Sequence, residues 1–303
     1  MTTAWQGEDR EREQHAYPEA HPEAWSATPE ILPPDNSYPS SPAEAAPSVR
    51  SRILLGWSYA PATYILIGIN IAVYLGMVLG GVSPWAPTAA QIMHWGASRG
   101  VNEVLFGEWW RLLSATFVHV GIIHLGTNMW CLWNLGLLGE PLLGVLGVFS
   151  VYVLTGVAGN LLSSAVSPGI VGAGASGAVF GIAGVLILLL NGPHLPFPRE
   201  ELRRLRRSVI YFALINLAIG GATLLYSGGI KIDNMAHLGG FFSGLALGVP
   251  LAPVLGTGRQ RYRHRQRVVF AILALGLLLF ANAMAHYWKP LMQAWAAGHP
   301  GDL

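Results

Sequence analysis

The sequence predicts an all-α polytopic membrane protein, and three observations carry the prediction. Hydrophobic residues make up 52% of the 303 residues and charged residues only 11%, the balance of a chain whose solvent is largely lipid. Apolar runs recur at about 20 residues, the helical length that crosses roughly 30 Å of hydrocarbon. The two-residue alternation of a transmembrane barrel is absent, and a helix satisfies its own backbone polar groups where water cannot.

Taken in order, the elements begin with a segment unlike the rest. The first 50 residues hold nine Asp or Glu against three Arg, with Pro-Glu-Ala at 18–20 and again at 22–24. Such a stretch buries too little apolar surface to offset its ordering entropy, so residues 1–52 are expected to form a disordered acidic cytoplasmic tail. It lacks the basic start and short apolar core of a signal peptide, and the first span is expected to insert uncleaved. Seven candidate spans follow, at 59–82, 115–138, 142–166, 173–191, 208–227, 234–255 and 267–287. They divide into a six-span core over 53–255 and a C-terminal part over 256–303: a basic loop, a seventh span and a short outer tail.

Arginine sets the orientation. Arg50 and Arg52 precede the first span; Arg199, Arg203, Arg204, Arg206 and Arg207 lie between the fourth and fifth; Arg259, Arg261, Arg263, Arg265 and Arg267 lie between the sixth and seventh. Seven spans with the N-terminus inside and the C-terminus outside put all three clusters on the cytoplasmic face, as the positive-inside rule requires. These arginines are read as topology signals, with no nucleic-acid partner implied. Abundant Ala and Gly, with Arg far in excess of Lys, point to a GC-rich bacterial genome and a bacterial cytoplasmic membrane.

In that arrangement Ser176 of Gly174-Ala175-Ser176-Gly177 and His237 of Ala236-His237-Leu238-Gly239-Gly240 fall near the outer ends of two parallel spans. A nucleophile and a base at matching depth suit chemistry where water is scarce, and an ionisable residue within a span marks a site by default. Gly177 with Gly181, and Gly240 with Gly244, give each helix a four-residue glycine spacing that lets backbones approach. At the outer start of the second span, His124 and Asn128 are four apart and share a helical face, whereas His119 points elsewhere or precedes the helix. Two donors on one face suit an oxyanion. A metal site of His119, His124 and His237 competes with that reading, without a His-Glu-x-x-His motif or an obvious carboxylate to support it. No phosphate-binding glycine loop is recognisable, so no nucleotide is implied. The lone Cys131 reads as an inert core residue, and Asn160, Asn216 and Asn282 as interhelical hydrogen-bond formers.

Together, Trp110-Arg111, His119, His124 with Asn128, Gly174-Ala175-Ser176-Gly177, and Ala236-His237-Leu238-Gly239-Gly240 with Gly244 resemble the rhomboid family of intramembrane serine proteases, over roughly residues 57–255. The resemblance implies a rhomboid-like six-helix core with an added seventh C-terminal transmembrane helix. It implies that Ser176 attacks the scissile carbonyl and His237 takes its proton, a catalytic dyad without the carboxylate of a triad. The Ser176 amide, His124 and Asn128 would hold the oxyanion, and Phe180 stands where the family carries an aromatic packed on the catalytic histidine. Residues 83–112 would form a loop partly embedded at the outer face, with Arg111 held by local carbonyls or Glu108. The fifth span and loop 226–234, with Gly228 and Gly229, would form a lateral gate. Substrates would be single-span transmembrane proteins with helix-weakening small residues near the cut, taken from the lipid bilayer without a cofactor. A silent client-binding relative and a small-solute transporter using the three histidines as a proton path are the alternatives; an intact Ser176, His237 and Asn128 weighs against the first, and an unseen internal repeat against the second.

Overall fold

The computed structural model describes residues 59–192, 195, 198–223 and 232–299. Among them the regular elements are helices, joined by one antiparallel bridge between Ser98 and Gly172. The expected disordered tail and the glycines of the expected gate, Gly228 and Gly229, lie outside the described residues.

Helix α1 (Pro61–Leu79) opens on a proline at its first position, where a missing amide costs nothing. Its next amides have no intrahelical acceptor, and Glu140 supplies one from another helix: its carboxylate accepts from Ala62 N at 2.8 Å, Thr63 N at 2.9 Å and Thr63 Oγ1 at 2.7 Å. Three short helices, α2 (Ala89–His94), α3 (Gly100–Phe106) and α4 (Arg111–Ser114), then fold the connector into a compact cap. Next come α5 (Ile122–Leu143) and α6 (Val145–Val166), hinged at Gly144, whose φ of 74° is left-handed and suits glycine.

Helix α7 (Ser176–Leu189) is the hub, in contact with α5, α6, α8 (Arg199–Thr223) and α9 (Asn234–Leu251). Ala178, Ile182, Ala183, Val185, Leu186 and Leu189 on it are fully buried. A fully buried helix reads as apolar all round, which is how its sequence reads. Glycine brings α9 against it: a Cβ on Gly240 would strike the carbonyl of Gly177, and one on Gly244 the carbonyl of Gly181. The α7 and α9 backbones therefore touch without intervening side chains.

Helix α10 (Arg259–Ala283) passes through a π turn at Met284–Trp288 into α11 (Lys289–Gly298). Residues expected as an outer tail are thus helical up to Gly298. Met284 and Met292 are fully buried with Val104, Leu112 and Leu161, which fastens the end of the chain to the connector.

Among the described residues, five helices, beginning at Pro61, Val145, Arg199, Asn234 and Arg259, are long and apolar enough to cross a membrane. Ile272, Leu275, Leu278 and Leu279 on α10 and Leu214, Ile215 and Ile219 on α8 are exposed, as lipid-facing side chains are. The fold is an all-helical polytopic membrane bundle. Several expected boundaries move. The second span begins at Ile122 instead of 115, because Gly121 takes φ 86° and ends the preceding turn. The fourth begins at Ser176 instead of 173, because Gly174 at φ 130° cannot be helical. The fifth begins at Arg199 instead of 208, arginine being a good helix former. Asn160 bonds another element, but Asn216 Nδ2 donates to Phe212 O on its own helix and Asn282 is exposed.

Candidate active site

Three segments meet at one end of the bundle: the turn 115–121 before α5, the stretch 167–175 before α7, and the start of α9. Backbone bonds join the first two, Gly174 N donating to Ala115 O at 2.9 Å. The bridge from Gly172 to Ser98, two hydrogen bonds of 2.8 and 2.9 Å, ties the second to the connector.

His119, fully buried, works as a clamp. Its Nε2 accepts from Ala175 N at 3.4 Å, so its proton is on Nδ1, which donates to Phe117 O at 3.1 Å. With both nitrogens engaged, neither is left to ligate a metal, and no group of three His, Cys, Asp or Glu among the described residues is placed to hold one.

His124 has the opposite tautomer. Val120 N donates to its Nδ1 at 3.3 Å, which leaves the proton of the neutral ring on Nε2. That nitrogen stands 2.9 Å from where a Cβ on Gly174 would lie, and Asn128 Nδ2 stands 3.6 Å from the same point. Glycine at 174 thus serves both its left-handed φ and the approach of two side-chain donors. Asn128, buried, spends one amide hydrogen on His124 O at 3.0 Å and has a second in hand.

Ser176 is the first residue of α7, half-buried, at the helix end where amides lack intrahelical partners and the dipole is positive. His237 sits in the first turn of α9, 5% exposed, its ring stacked on Phe180 with centroids 4.3 Å apart and planes 12° from parallel. Its Nδ1 has no hydrogen-bond partner, and no hydrogen bond joins it to Ser176. The chain around the two residues is nonetheless in contact: a Cβ on Gly177 would lie 3.3 Å from the carbonyl of Ala236. The residue after Ser176 touches the residue before His237. From the other side α6 presses on the same turn, with a Cβ on Gly239 2.8 Å from Ala158 O.

Sequence reasoning passed over Asp233. It caps α9, Oδ1 accepting from Ala236 N at 3.0 Å, while Oδ2 accepts from Ser163 Oγ on α6 at 2.5 Å. An aspartate just before an apolar helical run is a recognisable cap signal, but the link to Ser163 is not written locally. A cavity of about 780 Å³ opens among these segments. Ser176, His124, Gly174, Asn160 and Asp233 face it, with a largely apolar wall that includes Trp85, Ile92, Val120, Ile123, Val171 and Ile232; neither His237 nor Asn128 is on its walls.

Trp110 and Arg111 lie apart from the cavity and fasten the connector. Arg111 donates from Nε to Glu108 at 2.7 Å and from Nη1 to Met93 O at 2.6 Å and Ala97 O at 3.2 Å, and stacks over Trp110 at 4.6 Å. Both supports expected of it, carbonyls and Glu108, are present. The guanidinium holds the Glu108 carboxyl below the usual carboxylate range. Glu103 is fully buried, and burial pushes its carboxyl above that range, opposed by hydrogen bonds from Ser164 and Ser98. Through Ser98 this buried acid braces the bridge to Gly172.

Comparison with known proteins points the same way. A Rhomboid domain is matched over residues 106–254. The chain is 32% identical over 236 residues to Rhomboid protease GluP of Bacillus subtilis, which covers 76% of this chain and 43% of that one. It is 32% identical over 206 residues to RHOMBOID-like protein 2 of Arabidopsis thaliana, with 64% and 62% covered. It thus spans less than two thirds of the length of both. With Rhomboid-like protease 2 of Toxoplasma gondii it shares 31% identity over 215 residues, covering 68% of this chain and 72% of the relative. The bundle with a serine at the head of its buried central helix therefore carries a family name: the chain belongs to the rhomboid family.

Proposed function

We propose that the chain is an intramembrane serine endopeptidase, hydrolysing a peptide bond in or near the transmembrane segment of single-span membrane proteins by a Ser176–His237 dyad. The observation that carries the reading is the backbone contact of Gly177 with Ala236, which brings the heads of α7 and α9 together. In this reading the hydrogen bond between nucleophile and base forms on substrate binding, as in other enzymes whose apo geometry is loose.

In the proposed reaction Ser176 Oγ attacks the scissile carbonyl and its proton passes to His237 Nε2. The C–N bond breaks, the same proton goes to the leaving amine, and water then releases the acyl group by the reverse sequence. The developing oxyanion is met by the Ser176 amide, His124 Nε2–H and the second Asn128 amide hydrogen. Stacking on Phe180 orients the His237 ring in place of a carboxylate, consistent with its unpartnered Nδ1. His119, Gly174, Gly240 and Gly244 position this set, and Trp110 with Arg111 anchors the connector beside it. The chemistry needs no cofactor, nucleotide or nucleic acid.

We propose the wider arrangement with it: seven spans, an acidic cytoplasmic tail over 1–52, a catalytic core over 53–255, and a basic loop with the last span over 256–303. The five long apolar helices are what support it. The N-terminus is inside and the C-terminus outside a bacterial cytoplasmic membrane, which puts the cavity at the outer face.

The test is cleavage of a single-span substrate in liposomes by the parent protein, Ser176→Ala and His237→Ala, each shown to be folded. Both variants should fall by about a thousandfold or more. Cleavage that survives Ser176→Ala removes the serine mechanism.

A further inference from the structure

We infer that Asp233 selects substrates by charge, favouring a lysine or arginine within two or three residues of the scissile bond and disfavouring an acidic residue there. The inference rests on the proteolytic function proposed above and concerns what that site accepts.

Among the described residues that line the cavity, Asp233 is the one acidic side chain and none is a lysine or arginine. His124, the other ionisable group among those described residues, has its Nδ1 occupied by Val120 N–H and serves as a neutral donor. The carboxylate is also close to the reacting centre. Its Oδ2 lies 3.2 Å from where a Cβ on Gly172 would sit, and Gly172 is two residues from Gly174, against which the His124 ring rests. Two residues of extended chain span about 7 Å, so a substrate residue two or three from the attacked carbonyl can reach it.

The carboxylate keeps capacity to bind. A carboxylate offers about four acceptor positions, and Ala236 N and Ser163 Oγ occupy one on each oxygen. Those two bonds fix its direction and leave a lone pair on either oxygen. The head of α9 contributes about half a positive charge, which lowers the net negative charge without cancelling it. With the wall otherwise largely apolar, a charge brought to Asp233 is weakly screened, and like charge is penalised as strongly as opposite charge is favoured.

The experiment uses the full chain in liposomes with three single-span substrates that differ only at the second and third residues before the cut: lysine, glutamine or glutamate. The parent should cleave the lysine substrate about tenfold better in kcat/KM than the glutamate one, with glutamine between. Asp233→Asn and Asp233→Ser, both good helix caps, should bring the three within about twofold. Equal cleavage of all three by the parent overturns the inference and leaves proteolysis standing, as does a tenfold ratio that persists in both variants. If the parent cleaves none of them and Ser176 resists a fluorophosphonate, the proteolytic function falls and the role of Asp233 falls with it.

Discussion

At the scale of single residues, two histidines five apart are sorted by which nitrogen the backbone claims. Phe117 O and Ala175 N claim both nitrogens of His119 and make it a strut; Val120 N claims only Nδ1 of His124 and leaves Nε2–H toward Gly174. The sequence showed that the two differ in face, because five residues is not a helical repeat. It could not show the tautomers, which depend on loop amides. Asn128 follows directly from the four-residue spacing. If its second amide hydrogen meets the oxyanion, Asn128→Ala should lower kcat by about a hundred- to a thousandfold with KM little changed, in steady-state cleavage of a reconstituted substrate. Phe180 is a stacking partner without a hydroxyl. Phe180→Ala should therefore lower kcat by about tenfold or more through a loosened His237, while Phe180→Tyr retains activity; rates of Ser176 labelling by a fluorophosphonate would read both. Asp233 escaped notice because its second partner, Ser163, is 70 residues away.

Among the elements, glycine serves two purposes that look the same in sequence. Gly240 and Gly244 are contact points between helices, as the four-residue spacing suggests, whereas Gly121 and Gly174 are stops that take positive φ. Mistaking stops for helix is why the second and fourth spans were expected to start too early. The distinction predicts opposite outcomes for the same substitution. Gly244→Ala drives a methyl into the Gly181 carbonyl and should cost about 1–3 kcal/mol, seen as a lowered thermal midpoint in detergent and lost cleavage. Gly68→Ala in α1 meets nothing within 4 Å and should be neutral or stabilising by up to about 1 kcal/mol. The arginine stretch from 199 was legible as a topology signal but not as helix, because hydropathy weighs charge and ignores propensity.

For the whole molecule, fold class was legible because lipid as solvent leaves few architectures open. The packing order was not: that α7 is the hub depends on long-range contacts of residues as ordinary as Ala178 and Ile182. Nor was the fastening of α11 to the connector, where Met292 fills a pocket made by residues far away in sequence. One long-range contact governs the bundle's other end. Glu140 closes the head of α1 with three hydrogen bonds, so Glu140→Ala should destabilise by about 3 kcal/mol or more, and Glu140→Gln by less. Denaturation in mixed micelles would rank them. There is also a consequence in time. Ala62 leaves the ribosome 78 residues ahead of the acceptor it needs, so the head of the first helix keeps open amides until the far end of α5 has been made.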